Sequence, residues 1–155
     1  MRASDVMTWP AHKCRTDDTL EHVAQIMWDH DCGAVPVVDD QGRGIAMITD
    51  RDICMAAYTR AACLQDISIS SVMARDLHTC APEQSVAKAE EVMRLDRIRR
   101  TPVVDARGRL LGILSLADLA REAVHQKRRK YGEPLDAEVT STLAAVSEPR
   151  GRQPA

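Results

Sequence analysis

The sequence predicts a mixed fold, α/β in composition and α+β in layout: two pseudo-symmetric β-α-β-β-α repeats packed sheet to sheet, plus a short C-terminal helix. Three observations lead there. At a constant offset of 66, with no gap, Ser4, Val6, Met7, His12, Cys14, Met27, Pro36, Val37, Val38, Asp39, Gly42, Arg43, Asp52 and Ala57 each meet an identical residue, the signature of an internal repeat. Each half also runs through the same order of apolar periods, caps and turns. A β-α-β-β-α unit of this length is too small to cover both faces of its sheet, so two of them are expected to pack sheet on sheet about an approximate two-fold axis. Equivalent corners would then face a shared cleft. On this reading the repeats occupy 1–65 and 66–130, and 131–155 form a helical tail with a frayed end.

Taken in order, Val6-Met7 leads to a short extended piece over 12–15. Asp17 and Asp18 offer caps for a helix over 19–31, whose Leu20, Val23, Ala24 and Met27 fall on one face at helical spacing. Gly33 is expected to stop it. Ala34-Val35-Pro36-Val37-Val38 reads as a short buried strand with its proline near an edge or an end. Asp39-Asp40-Gln41-Gly42 is a turn, 44–48 pairs back as a strand, and Thr49 or Asp50 caps a helix reaching about Tyr58. The second half repeats this with Ser85 as cap, a helix to about Asp96, strands over 100–104 and 110–114 around the turn Asp105-Ala106-Arg107-Gly108, and a helix over 116–130.

Composition narrows the function classes. The 155 residues carry 21 basic and 23 acidic side chains, a formal net charge of −2, so no global field draws the chain to nucleic acid or an anionic membrane. Nowhere does it approach the roughly 18 apolar residues of a membrane span, and the amino terminus lacks a leader's apolar run; a soluble, cytoplasmic protein is expected. Cys14, Cys32, Cys54, Cys63 and Cys80 form an odd set without a C-x-x-C pair, which fits reduced thiols. With no Phe in the chain, the core must be built from Val, Ile, Leu, Met and Ala.

The paired Val-Met starts, the strands Val35-Pro36-Val37-Val38-Asp39 and Thr101-Pro102-Val103-Val104-Asp105, and the strand endings Ile48-Thr49-Asp50-Arg51-Asp52 and Leu114-Ser115-Leu116-Ala117-Asp118 together resemble tandem cystathionine β-synthase (CBS) domains, the Bateman module. The resemblance covers roughly residues 4–125. The linker and the Thr-Asp-Arg-Asp-Ile ending are also similar to small stand-alone bacterial CBS-pair proteins, the group that includes the mycobacterial hypoxic response protein. The family implies a regulatory binding role toward adenosine-containing ligands such as AMP, ADP, ATP, S-adenosylmethionine or NAD, and implies a homodimer that signals to a protein partner.

Local chemistry agrees with that role. A carboxylate can accept hydrogen bonds from both ribose hydroxyls, each worth roughly 1.5–3 kcal/mol when charge-assisted and desolvated; Asp52 and Asp118 are the candidates. Thr49 and Ser115 stand beside them, and the first turn of each following helix offers N–H groups suited to phosphate. Val35 and Pro36 in one half and Pro102 in the other could line an adenine slot. The halves differ. Arg99 and Arg100 stand where family members place basic phosphate contacts, whereas Gly33 and Ala34 fill those positions in the first half, with Arg51 as partial compensation. Ala46 replaces the glycine that Gly112 supplies in the second half, so phosphate binding is expected to lean on the second corner. Without the resemblance, Thr49 with Asp52 reads as a helix cap with a first-turn acid.

Two further features stay open. His12-x-Cys14 recurs as His78-x-Cys80; residues two apart on a strand share a face, and pseudo-symmetry could gather all four into a tetrahedral zinc set. Against this, both cysteines occupy apolar strand positions, where the thiol acts as a small hydrophobe. After His125, the run Gln126-Lys127-Arg128-Arg129-Lys130 suits a solvated helix end and lacks an aromatic platform for nucleic acid. Gly132-Glu133-Pro134 then breaks the chain, and Leu135, Val139, Leu143 and Val146 form an apolar stripe. No nucleophile, base and orienting group converge in the sequence and no enzyme-type phosphate loop is present, which argues for a non-enzyme. The other readings are an interaction module with an empty cleft and a zinc sensor.

Overall fold

The computed structural model describes residues 1–129, with side chains through Glu122, together with Val139 and Thr142. Among them are four α-helices and two small sheets, the mixed α and β fold expected. The first repeat supplies β1 (Cys14–Arg15), α1 (Leu20–Asp29), β2 (Ala34–Val38), β3 (Gly44–Thr49) and α2 (Asp50–Arg60); the second supplies α3 (Val86–Asp96), β4 (Arg100–Val104), β5 (Leu110–Ser115) and α4 (Leu116–Arg129). The counterpart of β1 in the second repeat is a single parallel bridge, Cys80 to Val103, at the same offset as Cys14 to Val37.

Helix α1 begins and ends differently from expectation. Thr19 is its N-cap, accepting from His22 N at 3.4 Å, because Asp18 turns back to accept from Arg15 N at 2.7 Å. The helix stops at Asp29, and the left-handed residue that turns the chain is Asp31 (φ 48°), matched by Arg97 (φ 53°) after α3; Gly33 is not needed for it. Asp tolerates this conformation better than most non-glycine residues. Leu20, Val23 and Met27 face the core as their spacing predicts.

The first sheet has the order β1-β2-β3, with β2 buried along its whole length. Pro36 therefore lies in a central strand, not near an edge. It is tolerated because its carbonyl, which accepts from Cys14 Sγ at 3.6 Å, faces the β1 side. Its nitrogen shares that side, and β1 is only two residues long, so no ladder bond is lost. Antiparallel pairing puts Val35 opposite Ile48 and Val37 opposite Ala46 on the core face, and Ala34 opposite Thr49 on the other. The two β-turns repeat each other closely: Asp39 accepts from Gln41 N, Arg43 N and Arg43 Nε, and Asp105 from Arg107 N, Arg109 N and Arg109 Nε, around Gly42 and Gly108 at φ 75° and 78°. Their tips are stitched together by Gly44 N to Gly108 O at 3.1 Å and Leu110 N to Gly42 O at 3.0 Å.

The chain forms two compact units that do not follow the sequence repeats. One joins Met1–Trp9 to Cys80–Val103 and the chain from Gly112 on; the other joins Pro10–Thr79 to Val104–Leu111. In the first unit Thr8 pairs antiparallel with Ile113, through bonds of 2.9 and 3.1 Å, and Val86 N donates to Met1 O. In the second unit the equivalent residues do the same: Ala74 bridges Met47, and Leu20 N donates to Ile67 O. Each leading segment thus packs in the unit built mainly from the other repeat, with Ala3 and Ile69 fully buried. Each unit has its own core, one around Met93, Val103, Leu114 and Leu119, the other around Leu20, Val35, Val37 and Ile48. From the expected tail stripe, Val139 is buried in the first of these cores. Leu135, Leu143, Val146 and the side chains of the basic run lie outside the described residues.

Candidate functional site

Both hydroxyl–carboxylate corners form where a β-strand runs into a helix, and both are capping boxes. At the first, Thr49 Oγ1 accepts from Asp52 N at 3.2 Å, while Asp52 Oδ2 accepts from Thr49 N at 2.8 Å and Thr49 Oγ1 at 2.7 Å. At the second, Ser115 Oγ accepts from Asp118 N at 3.2 Å, and Asp118 Oδ2 accepts from Ser115 N and Ser115 Oγ at 2.8 and 2.5 Å. The plain helix-cap reading is therefore true of both corners; what decides their chemistry is the acceptor capacity left over.

A carboxylate offers about four acceptor positions. Asp118 has filled them: its Oδ1 takes Thr8 Oγ1 at 3.0 Å and Arg121 Nη2, and the side chain is 4% exposed. At the offset of 66, Ala74 stands in place of Thr8 and Met55 in place of Arg121. Neither can donate to Asp52, which is half-buried, and among the described residues no donor reaches its Oδ1. The open oxygen is in the first half.

The helix N-termini offer less than expected. Asp50 N donates to Gly33 O at 3.3 Å, Arg51 N to Asp50 Oδ1 at 2.7 Å and Asp52 N to Thr49 Oγ1, so the first-turn donors of α2 are taken. In α4, Leu116 N donates to Arg99 O at 3.1 Å. Arg99 is exposed and Arg100 half-buried at the start of β4, beside the second corner; Arg51 is exposed in the first turn of α2. Val35 is fully buried in the core, and Pro36 and Pro102 are buried on the opposite faces of their strands from Val37 and Val103. The glycine difference has a cause within the chain: a Cβ on Gly112 would lie 2.7 Å from Met7 Sδ and 2.8 Å from Thr8 O. The N-terminal segment makes a close approach to the backbone at this glycine.

The His-x-Cys pairs separate. Cys14 and Cys80 are each 2% exposed, and burial pushes their thiols up to about 12 and about 11, with a hydrogen bond to Thr101 pulling Cys80 the other way. Such thiols resist becoming the thiolates a metal needs. His12 instead stacks on His30, ring centroids 3.5 Å apart, and His78 Nε2 sits 3.7 Å from Asp76 Oδ2. Among the described residues no group of three or more His, Cys, Asp or Glu side chains could hold a metal ion. None of the described helices is long and apolar enough to cross a membrane.

Thr8 and Arg121 escaped the reading of the sequence. Arg121 had a signal, its i,i+3 spacing from Asp118 on a helix; Thr8 had only its mismatch with Ala74.

The CBS domain family model matches residues 3–58 and again 69–125. The chain belongs to the CBS domain family. It is 36% identical over 116 residues, 75% of this chain and 81% of the relative, to the CBS domain-containing protein YhcV of Bacillus subtilis. Among solved structures it is similar to Hypoxic Response Protein I with two coordinated zinc ions, at 30% identity and a TM-score of 0.71 over 78% of this chain and 98% of that one. The CBS domain pair of protein MJ0100, in complex with 5′-methylthioadenosine and S-adenosyl-L-methionine, shares the fold at 24% identity and a TM-score of 0.74, over 81% of this chain and 98% of the other.

Proposed function

We propose that this CBS pair is a non-catalytic regulatory module that binds an adenosine-containing ligand of the AMP, ADP or ATP class at the Thr49–Asp52 corner and passes the bound state to a protein partner, acting as a homodimer. The observation that carries the reading is the open Oδ1 of Asp52, on a carboxylate fixed in place by Thr49 through its other oxygen. A preorganised acceptor of this kind can take ribose hydroxyls without first giving up partners. Arg51, exposed in the same turn, supplies the positive charge for phosphate, in keeping with a family fold that holds adenosine compounds in MJ0100. The ligand shifts the module only by its differential affinity for two arrangements. The zinc reading comes from the repeated His-x-Cys spacing, and Hypoxic Response Protein I coordinates two zinc ions, but it has less support from this chain, whose Cys14 and Cys80 are buried and hard to ionise.

Thermal shift against AMP, ADP, ATP, S-adenosylmethionine and NADH tests the proposal. At least one should raise the melting temperature, and Asp52→Asn should weaken it at least tenfold, about 1.4 kcal/mol, less than the two bonds at stake. A flat response to all five at millimolar concentration would leave the protein-interaction module as the better reading.

A further inference from the structure

Resting on that reading, one observation bears on how many ligands the chain takes. The second corner carries the arginine pair and the fuller motif, yet every acceptor position of Asp118 is already used, two by Ser115, one by Thr8 and one by Arg121. Thr8 comes from the other end of the sequence. It is held there by its reciprocal backbone pair with Ile113, N–H and C=O both engaged, and by the absence of a side chain at Gly112, against which Met7 and the Thr8 carbonyl pack. A ribose arriving at Asp118 would have to displace the Thr8 hydroxyl and the Arg121 guanidinium to find an acceptor. At the first corner the matching positions are Ala74 and Met55, and among the described residues no donor holds Asp52 Oδ1, so none need be displaced from it.

We propose that the N-terminal segment is the second corner's own occupant: Thr8, with Arg121, holds Asp118 closed, so that the chain takes one adenosine ligand at Asp52 and opens a second place only when Thr8 is withdrawn. Thr8 is then a regulatory residue, and whatever pulls residues 1–9 from β5 changes the stoichiometry of the module. At β5 the pairing at stake is two backbone bonds and one hydroxyl bond; Ala3, buried and bonded to Gln84 O, keeps the start of the segment anchored, so the part that opens is the stretch at Thr8.

Titration calorimetry with AMP on the full chain tests this. Wild type should bind one AMP, and Asp52→Asn should lose at least tenfold in affinity while Asp118→Asn stays within threefold. The variant Thr8→Ala with Arg121→Met, which gives the second corner the neighbours of the first, should bind two; adding Asp52→Asn to it should leave one. Thr8→Ser, which keeps the hydroxyl, should stay at one. Two equivalent sites in wild type, a single site in the opened variant, or loss of binding in Asp118→Asn but not in Asp52→Asn would each overturn the proposal while leaving adenosine binding intact. No AMP binding in wild type or any folded variant, together with a flat thermal shift to all five nucleotides, would overturn the adenosine reading and this one with it. The comparison of Asp52→Asn with Asp118→Asn decides the matter even if the opened variant does not fold.

Discussion

Gly112→Ala is the sharpest probe of why the two corners differ. Its Cβ would stand 2.7 Å from Met7 Sδ and 2.8 Å from Thr8 O, both inside any relaxed contact distance. The sulfur can swing away, since methionine adapts readily. The carbonyl cannot, because it accepts from Ile113 N at 3.1 Å in the bridge that fastens the N-terminal segment to β5. Either the segment shifts under strain, at roughly 1–3 kcal/mol for overpacking, or it peels off and loses two backbone hydrogen bonds at about 1 kcal/mol each together with the Thr8 bond to Asp118. The first route costs about 2 kcal/mol and the second more, about 4 kcal/mol with the charge-assisted Thr8 bond included; the cheaper one sets the loss, which for a domain of this size lowers the melting temperature by about 4–8 °C. Differential scanning calorimetry measures it. Met7→Ala in the same chain should recover only the sulfur's share, leaving the carbonyl clash in place. The reverse exchange at the first corner, Ala46→Gly, creates no clash and should cost only about 1 kcal/mol from strand entropy and a lost methyl. An unshifted melting temperature in Gly112→Ala would refute the argument that this glycine serves the chain's own packing.

Three further outcomes follow from the titrating groups. Cys54 and Cys63 are exposed, while Cys14 and Cys80 are buried with thiols raised to about 12 and about 11; a disulfide reagent at about pH 8 should label the first two quickly and the last two only as the protein unfolds. Because those two values lie above the ordinary thiol value, their stabilising contribution is intact below it and is lost as pH rises toward them, so the melting temperature should fall on the alkaline side and fall less steeply in Cys14→Ala. Asp39 and Asp105 are held below the ordinary carboxylate range, first by the backbone N–H groups of Arg43 and Arg109. Their contribution is present above that range and lost as pH falls through the folded values; an acid melt of Asp39→Asn with Asp105→Asn should show a shallower dependence than wild type below about pH 4.

The repeat offset made most of the fold legible, because burial and turn chemistry are local: the face of α1, the strand pair β2 and β3, the Asp-x-x-Gly-Arg turns and the Thr49 and Ser115 caps all follow from near neighbours. The exchange of leading segments was not legible, since Ser4-x-Val6-Met7 and Ser70-x-Val72-Met73 read identically whichever unit they join. Pro36 is expected near an edge or an end because the middle of a central strand ordinarily needs every N–H; the shortness of β1, which lifts that need, is a tertiary fact.

The candidate site shows the same limit from the side of function. A hydroxyl followed three residues later by an aspartate forms a capping box for reasons of helix physics alone, so the motif by itself does not separate a cap from a ligand acceptor. The separation lies in the second carboxylate oxygen, and its state is set by residues outside the motif: Thr8, 110 positions away, and Arg121 for Asp118, against Ala74 and Met55 for Asp52. Judged on the motif and nearby arginines, the second corner is the richer; judged on unfilled acceptor capacity, the first is. The second criterion is the one a ligand meets, because a ribose hydroxyl competes for lone pairs already engaged. A difference of two side chains is thereby enough to give two nearly identical corners different acceptor capacity: Asp118 filled by the chain itself, and Asp52 with an oxygen that no donor among the described residues reaches.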